Sequence, residues 1–138
     1  MTRTMRLIDA CVAAKWFVPE PDSPRALALL SSDDFLCAPD LIVVEVGEVF
    51  RIAARDGDGR TEAAAGALKR LTGFFDEIIP HGDHAAEAIR MSLELDQPIG
   101  SCFYLAIAAA RDIPLVTVDM HLVRRLARTP YEALVELL

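Results

Sequence analysis

Pro114-Leu-Val-Thr-Val-Asp119 (PLVTVD) is the stretch that decides the fold. Its apolar side chains occupy successive positions, so both faces of the strand need covering. That is the pattern of a central strand in a parallel sheet, not of an edge strand with one wet face. An acid, Asp119, closes it. Met5–Ala10 (MRLIDA) has the same form: a short apolar strand closed by Asp9. Two further short strands are expected at Phe35–Ala38 and Glu77–Pro80, and a last one, at an edge, over Ala133–Leu137.

Between the strands the spacing predicts helices. Val12–Phe17 is a short helical piece stopped by Pro19 and Pro21. Ser23-Pro24 reads as a cap followed by proline at the first helical position, with a helix to about Ser31. Pro39-Asp40 opens a long helix over Leu41–Arg55, ended by Gly57 and Gly59. Thr61–Phe75 is a second long helix, and Asp83–Leu95 a third with Asp83 as its cap. Pro98–Gly100 breaks the pattern before the apolar helix Ser101–Arg111, and His121–Ala127 is a basic helix. Strands alternating with helices imply an α/β domain, with a mostly parallel sheet and helices on both faces.

The chain has 138 residues, the size of a single domain spanning 1–138. Hydrophobic residues make up 53% and charged residues 25%, which excludes a disordered chain. Fourteen basic against 21 acidic residues give a net charge of −7. That excludes a globally basic nucleic-acid binder but leaves a locally basic groove open. The longest apolar run, Cys102–Ala110, is far shorter than the roughly 20 residues of a membrane span. No signal peptide is expected at the N-terminus. Cys11, Cys37 and Cys102 are too scattered for a zinc site. They read as reduced thiols buried as small hydrophobes in a cytoplasmic protein.

In open α/β sheets, functional groups gather beyond the carboxyl ends of the strands. Asp9 and Asp119 both lie there. If their strands are neighbours the two carboxylates converge, and like charges in proximity call for a cation or a shared proton. A hard divalent ion such as Mg²⁺ answers that need with oxygen ligands and retained waters. Each aspartate also fits the simpler role of a helix N-cap. Glu45 borders an apolar helix face in LIVVEVGEVF, where an unpaired carboxylate is costly. Glu48, three residues on, is expected to reach the same space, although Asp33, Asp34, Asp40, Glu45 and Glu48 together also fit a solvated helix edge. Arg124, Arg125 and Arg128 follow Asp119 at helical spacing and suit a phosphate backbone, or a solvated surface. Lys15 either neutralises the site or sits on the surface, and Trp16 beside it reads as core. His81 and His84 form an i,i+3 pair too isolated to make a metal site. His121, beside Asp119, has no partner to orient it.

Three stretches then fall into a familiar order. Residues 7–30 (LIDACVAAKWFVPEPDSPRALALL) resemble the opening of PIN-domain proteins, specifically VapC-type toxins of bacterial toxin–antitoxin pairs. Residues 38–50 (APDLIVVEVGEVF) resemble the family's second motif, and residues 97–126 (QPIGSCFYLAIAAARDIPLVTVDMHLVRRL) its third and fourth. The resemblance implies a three-layer α/β/α fold, a homodimer and an RNA-cleaving nuclease dependent on Mg²⁺ or Mn²⁺. It also implies inhibition by a small VapB-like antitoxin. Residue by residue, it places Asp9, Glu45 and Asp119 as metal-binding acids, with Thr117 accompanying the last. It departs at Ser101, where the family carries its third acid, at Cys11, often serine, and at Glu48, often asparagine. A hydroxyl ligates Mg²⁺ far more weakly than a carboxylate. The loss should slow hydrolysis by ~10²-fold or more, unless Glu48 compensates. The alternative is a catalytically silent module of the same fold that binds an antitoxin and represses their promoter. A phosphoacceptor receiver domain fits poorly, since Asp9 has no acidic neighbour and no lysine ends the late strand.

Overall fold

The computed structural model describes residues 3–55 and 60–138. Five strands, β1 (Met5–Ile8), β2 (Phe35–Pro39), β3 (Glu77–Ile79), β4 (Leu115–Thr117) and β5 (Val135–Leu137), form one sheet in the order β3-β2-β1-β4-β5. Every pairing is parallel. The two strands closed by aspartate are therefore neighbours at the centre, with Leu7 opposite Leu115 and Ile8 opposite Val116. β5 lies at an edge, as its short C-terminal pattern predicts.

Among the described residues seven α-helices cover the sheet: α1 (Ala10–Ala14), α2 (Ser23–Ser31), α3 (Ile42–Ala54), α4 (Arg60–Arg70), α5 (Ala85–Leu95), α6 (Ile99–Arg111) and α7 (Met120–Leu126). Successive residues of the central strands feed opposite cores, because side chains alternate across a strand. Leu7, Cys37 and Leu115 pack against α5, α6 and α7. Ile8, Ala38 and Val116 pack against α1, α3 and α4. The result is the expected three-layer α/β/α sandwich.

Several local expectations are corrected. Ser23 does not cap α2 by hydrogen bonding into it. Its hydroxyl accepts the Glu20 N–H at 2.9 Å, and Asp22 precedes the helix. Asp83 does not cap α5, since a 3₁₀ turn over His81–His84 leads into that helix. The expected Thr61–Phe75 helix is α4 followed by a 3₁₀ turn, Leu71–Phe74. α6 begins two residues early, at Ile99 after Pro98, so Ser101 stands inside its first turn and not at its cap. Gly57 and Gly59, expected to end α3, lie outside the described residues. The ends of α5 and α6 are made instead by Asp96 and Asp112, each in the left-handed region at φ 52°. Aspartate tolerates that region better than most residues do. Cys37 and Cys102 are buried as expected, but Cys11 is exposed. Among the described residues no helix is long and apolar enough to cross a membrane.

Candidate active site

Four strand ends meet along the carboxyl edge of the sheet. Asp9 follows β1, Asp40 follows β2, His81 lies two residues beyond β3, and β4 ends in Thr117 with Asp119 close behind. The Asp9 amide donates to the Val116 carbonyl at 3.1 Å, which extends the central ladder to the site itself. Thr117 is fully buried. Its hydroxyl donates to Asp9 Oδ2 at 2.6 Å and accepts the Asp119 N–H at 3.1 Å. One hydroxyl thus ties the two aspartates into one unit.

Asp119 also fulfils the cap reading, because its Oδ1 accepts the Leu122 N–H at 3.1 Å. Capping uses one carboxylate oxygen and leaves the other available. Asp9 precedes α1 without capping it by a side-chain hydrogen bond. The cap reading therefore holds for Asp119, whose other oxygen stays free of it, and does not hold for Asp9.

Glu45 comes from the first turn of α3. Its Oε1 is buried without a hydrogen-bond partner, and so is the Tyr104 hydroxyl. The two groups are close enough to shift each other's ionisation. Across from Glu45 lies α6: a methyl group built on Gly100 would stand 3.4 Å from Glu45 Oε2. Gly100 therefore admits the carboxylate to the start of α6, where half-buried Ser101 is the next residue.

The electrostatics are those of clustered acids. Burial pushes the Asp9 carboxyl above its ordinary value. The Thr117 hydroxyl and the amides of Ala10 and Cys11 oppose the shift, and Asp119 adds to it. Burial also raises Glu45. Tyr104 opposes, Asp9 reinforces, and His81 opposes. The Cys11 thiol is raised by burial and then by Asp9, with smaller contributions of the same sign from Glu45 and Asp119. Cys11 thus lies in the field of all three acids.

Other expected residues are deployed differently. Glu48 is exposed and paired with Arg51, with Nε to Oε2 at 3.0 Å, so it does not share the space of Glu45. Of the five acids over 33–48, Asp34 pairs with Arg6 and Asp40 with His81. The run is therefore not a uniform solvated edge. Lys15 is not a surface residue, and its charge opposes the shift of the Cys11 thiol. It is buried and bonded to Glu20 and Asp22. Trp16 donates its indole N–H to the Ala26 carbonyl at 2.9 Å and packs against Phe74 and Phe75. Arg124 is exposed on α7, while Arg125 Nε donates to the Leu95 carbonyl at 2.8 Å. Arg128 lies beyond α7 at φ 64°, out of helical register with the other two. His121 is exposed.

Two features escaped the sequence reading. Tyr104 reaches the acids from inside an apolar helix, where it reads as core. Asp40 and His81 pair across two strand ends, with His81 Nδ1 at 2.5 Å from Asp40 Oδ1. Asp40 closes β2 just as Asp9 closes β1, and that parallel was the available signal.

The donor set suits a hard cation: carboxylate oxygens, one of them buried without a partner, which costs free energy unless something binds it. Among the described residues no three His, Cys, Asp or Glu side chains converge closely enough to hold an ion alone. A divalent ion held there would therefore need waters beside the carboxylates.

An α/β/α sandwich with acids collected on the carboxyl edge of its central strands is the arrangement that the resemblance implies. The PIN domain family matches residues 6–128, and the chain belongs to that family. Within that family it is similar to a VapC ribonuclease. Ribonuclease VapC1 of Mycobacterium tuberculosis is 28% identical over 116 residues, covering 84% of this chain and 86% of that protein. Solved structures agree on the fold. A protein of Pyrobaculum aerophilum superimposes with a TM-score of 0.68 at 20% identity, over 91% of this chain and 82% of its own. A chain of a toxin–antitoxin complex from Klebsiella pneumoniae gives 0.64 at 17% identity, over 95% of both. A chain of VapBC2 from Rickettsia felis, bound to a DNA fragment from their promoter, gives 0.68 at 13%, over 98% and 99%.

Proposed function

We propose that this protein is the toxin of a type II toxin–antitoxin pair, a nuclease that hydrolyses RNA phosphodiester bonds with the help of Mg²⁺ or Mn²⁺. The observation that carries the reading is the Asp9–Thr117–Asp119 unit on the carboxyl edge, with the partnerless Glu45 oxygen beside it. Asp9, Glu45 and Asp119 would hold the ion, and Ser101 would add at most a weak hydroxyl. Bound there, a divalent ion supplies charge neutralisation for the phosphate and acidifies an attacking water. Thr117 fixes the Asp9 carboxylate and the Asp119 backbone, so the oxygens are set before substrate arrives. Tyr104 and the apolar helix α6 close the floor beneath Glu45 and exclude bulk water from it. Arg124 is the arginine of the expected strip best placed to meet a phosphate; Arg125 is committed to α5, and Arg128 contributes from outside the helix.

The partners that follow are an RNA substrate, a small VapB-like antitoxin and a second copy of the chain. The likeness to VapC1 of M. tuberculosis supports the activity, and the toxin–antitoxin assemblies among the structural neighbours support the antitoxin. A second reading has its own observation. Ser101 replaces a carboxylate in the first turn of α6, so the domain would serve as a silent binding module in antitoxin capture and promoter repression.

Cleavage of a structured RNA panel with Mg²⁺ and with Mn²⁺ separates the two. The panel is run with this chain, Ser101→Asp and Asp9→Asn. The nuclease reading expects cleavage by this chain, none by Asp9→Asn, and roughly 10²-fold faster cleavage by Ser101→Asp. Cleavage by Ser101→Asp alone would establish the silent module. Cleavage by Asp9→Asn at the rate of this chain would remove the site from the reaction.

A further inference from the structure

The acidic edge poses an electrostatic problem that the nuclease reading leaves open. Three carboxylates face a polyanion, and one bound ion offsets only part of their charge. Basic groups on either side of the acids must hold the strand. On the β4 side α7 presents Arg124, exposed. On the β2 and β3 side the nearby basic residues are already engaged. Lys15 is bonded to Glu20 and Asp22, and Arg51 to Glu48. The turn after β3 brings His81 and His84 to this end of the sheet, and His81 is the one bonded to Asp40.

His81 is built into place. Asp40 Oδ1 accepts from both the His81 amide, at 3.0 Å, and its ring Nδ1, at 2.5 Å. A carboxylate only accepts, so Nδ1 carries the proton and Nε2 is the ring nitrogen left for a ligand. The ring also stands edge-on to Phe103 of α6, with centroids 5.1 Å apart and planes at 82°. Two elements thus fix an imidazole whose side chain keeps 38% of its surface exposed. It lies near enough to Glu45 to act on that carboxyl. The paired Asp40 is an orienting group of the kind that steers functional histidines.

We propose that His81, oriented by Asp40, is a substrate-contacting residue that holds a phosphate of the RNA strand on the β3 side of the acidic site as an imidazolium, with Nδ1–H on Asp40 and Nε2–H on the phosphate. The strand then crosses the carboxyl edge from His81 to Arg124. Three strand spacings separate β3 from β4, a span of about 14 Å, so the two groups hold different phosphates and the acids lie between them. This inference rests on the nuclease reading of the same site.

The test uses the full chain, a single-stranded oligoribonucleotide and its cleavage by this chain. His81→Gln should raise KM and the Kd for the oligoribonucleotide roughly 5- to 10-fold, and lower kcat by no more than about twofold. The slope of log Kd against log salt should shrink by roughly 0.7, the value of one phosphate contact on a single strand. His81→Lys should restore binding to within about twofold, because it restores the charge. Asp40→Asn should weaken binding by a smaller factor, since the ring is kept but no longer steered. Thermal melts of each variant confirm that the fold persists. A salt slope and Kd unchanged in His81→Gln, with cleavage still abolished by Asp9→Asn, would overturn the proposal and spare the nuclease reading. An unimproved His81→Lys would overturn the role of charge. Absence of both RNA binding and cleavage in the unsubstituted chain would overturn the two readings together.

Discussion

Asp9 carries a cost alongside the role proposed for it. Its carboxyl is raised by burial and, further, by Asp119. A raised folded-state value means that the folded protein binds a proton where the unfolded chain does not. Stability then falls as pH rises from the ordinary value of 3.8 through the folded value, and the penalty is complete above it. Glu45 adds a penalty of the same sign above 4.5. Asp9→Asn removes one buried charge and keeps an oxygen that accepts from Thr117. Without divalent ions, its melting temperature should exceed that of the unsubstituted chain at pH 7, and the gap should close toward pH 4. Melts with a chelator across about pH 4–8 check this. With Mg²⁺ added the order should reverse, because ligand binding stabilises only the chain that can bind. A gap that widens on acidification would contradict the assigned shift.

At the scale of elements, α6 matters most. Its apolar residues Cys102, Leu105, Ala106, Ile107 and Ala108 are buried at the centre of one core. Such a helix is fixed by packing, not by caps, and its first turn is thereby held against Glu45. Tyr104 is the exception within it, a buried hydroxyl beside Glu45 that makes no well-formed hydrogen bond to it. Removing an unsatisfied buried hydroxyl costs nothing and relieves a penalty of about 1–3 kcal/mol. Tyr104→Phe should therefore melt at the same temperature as the unsubstituted chain or a few degrees higher, as calorimetry would show. A fall of several degrees would mean that the hydroxyl bonds to Glu45 in solution. The dissected role of the acids also belongs to this scale: α3 supplies Glu45 inward and Glu48 outward, although they stand only three residues apart.

For the whole molecule, burial sorts the three thiols. Cys37 sits on β2 in the core, where burial pushes its thiol up to about 11. Cys102 is buried in α6, and Cys11 alone is exposed. A thiol reagent should therefore titrate one equivalent in the native protein and three after denaturation. The native reaction should be slow at pH 7, because desolvation of its sulfur and then Asp9 push the Cys11 thiol up. Addition of Mg²⁺ should speed it by neutralising that field. Two fast equivalents in the native state would mean that one of the cores opens.

The sequence by itself determined the architecture. Apolar strands two faces deep, alternating with helices, admit few arrangements other than a covered parallel sheet. Acids that close two such strands are visible without coordinates. It also gave the order of the motifs, and so the family. Tertiary structure decided what each polar group does, because that depends on partners distant in the chain. Thr117 meets Asp9 across 108 positions, and Asp40 meets His81 across 41. Lys15 and Glu48, both promising by spacing, found nearer partners in Glu20, Asp22 and Arg51. The physical reason is the same throughout. Hydrophobic periodicity is local and survives in one dimension, whereas a carboxylate's role is set by which charges and donors the fold brings within a few ångströms of it.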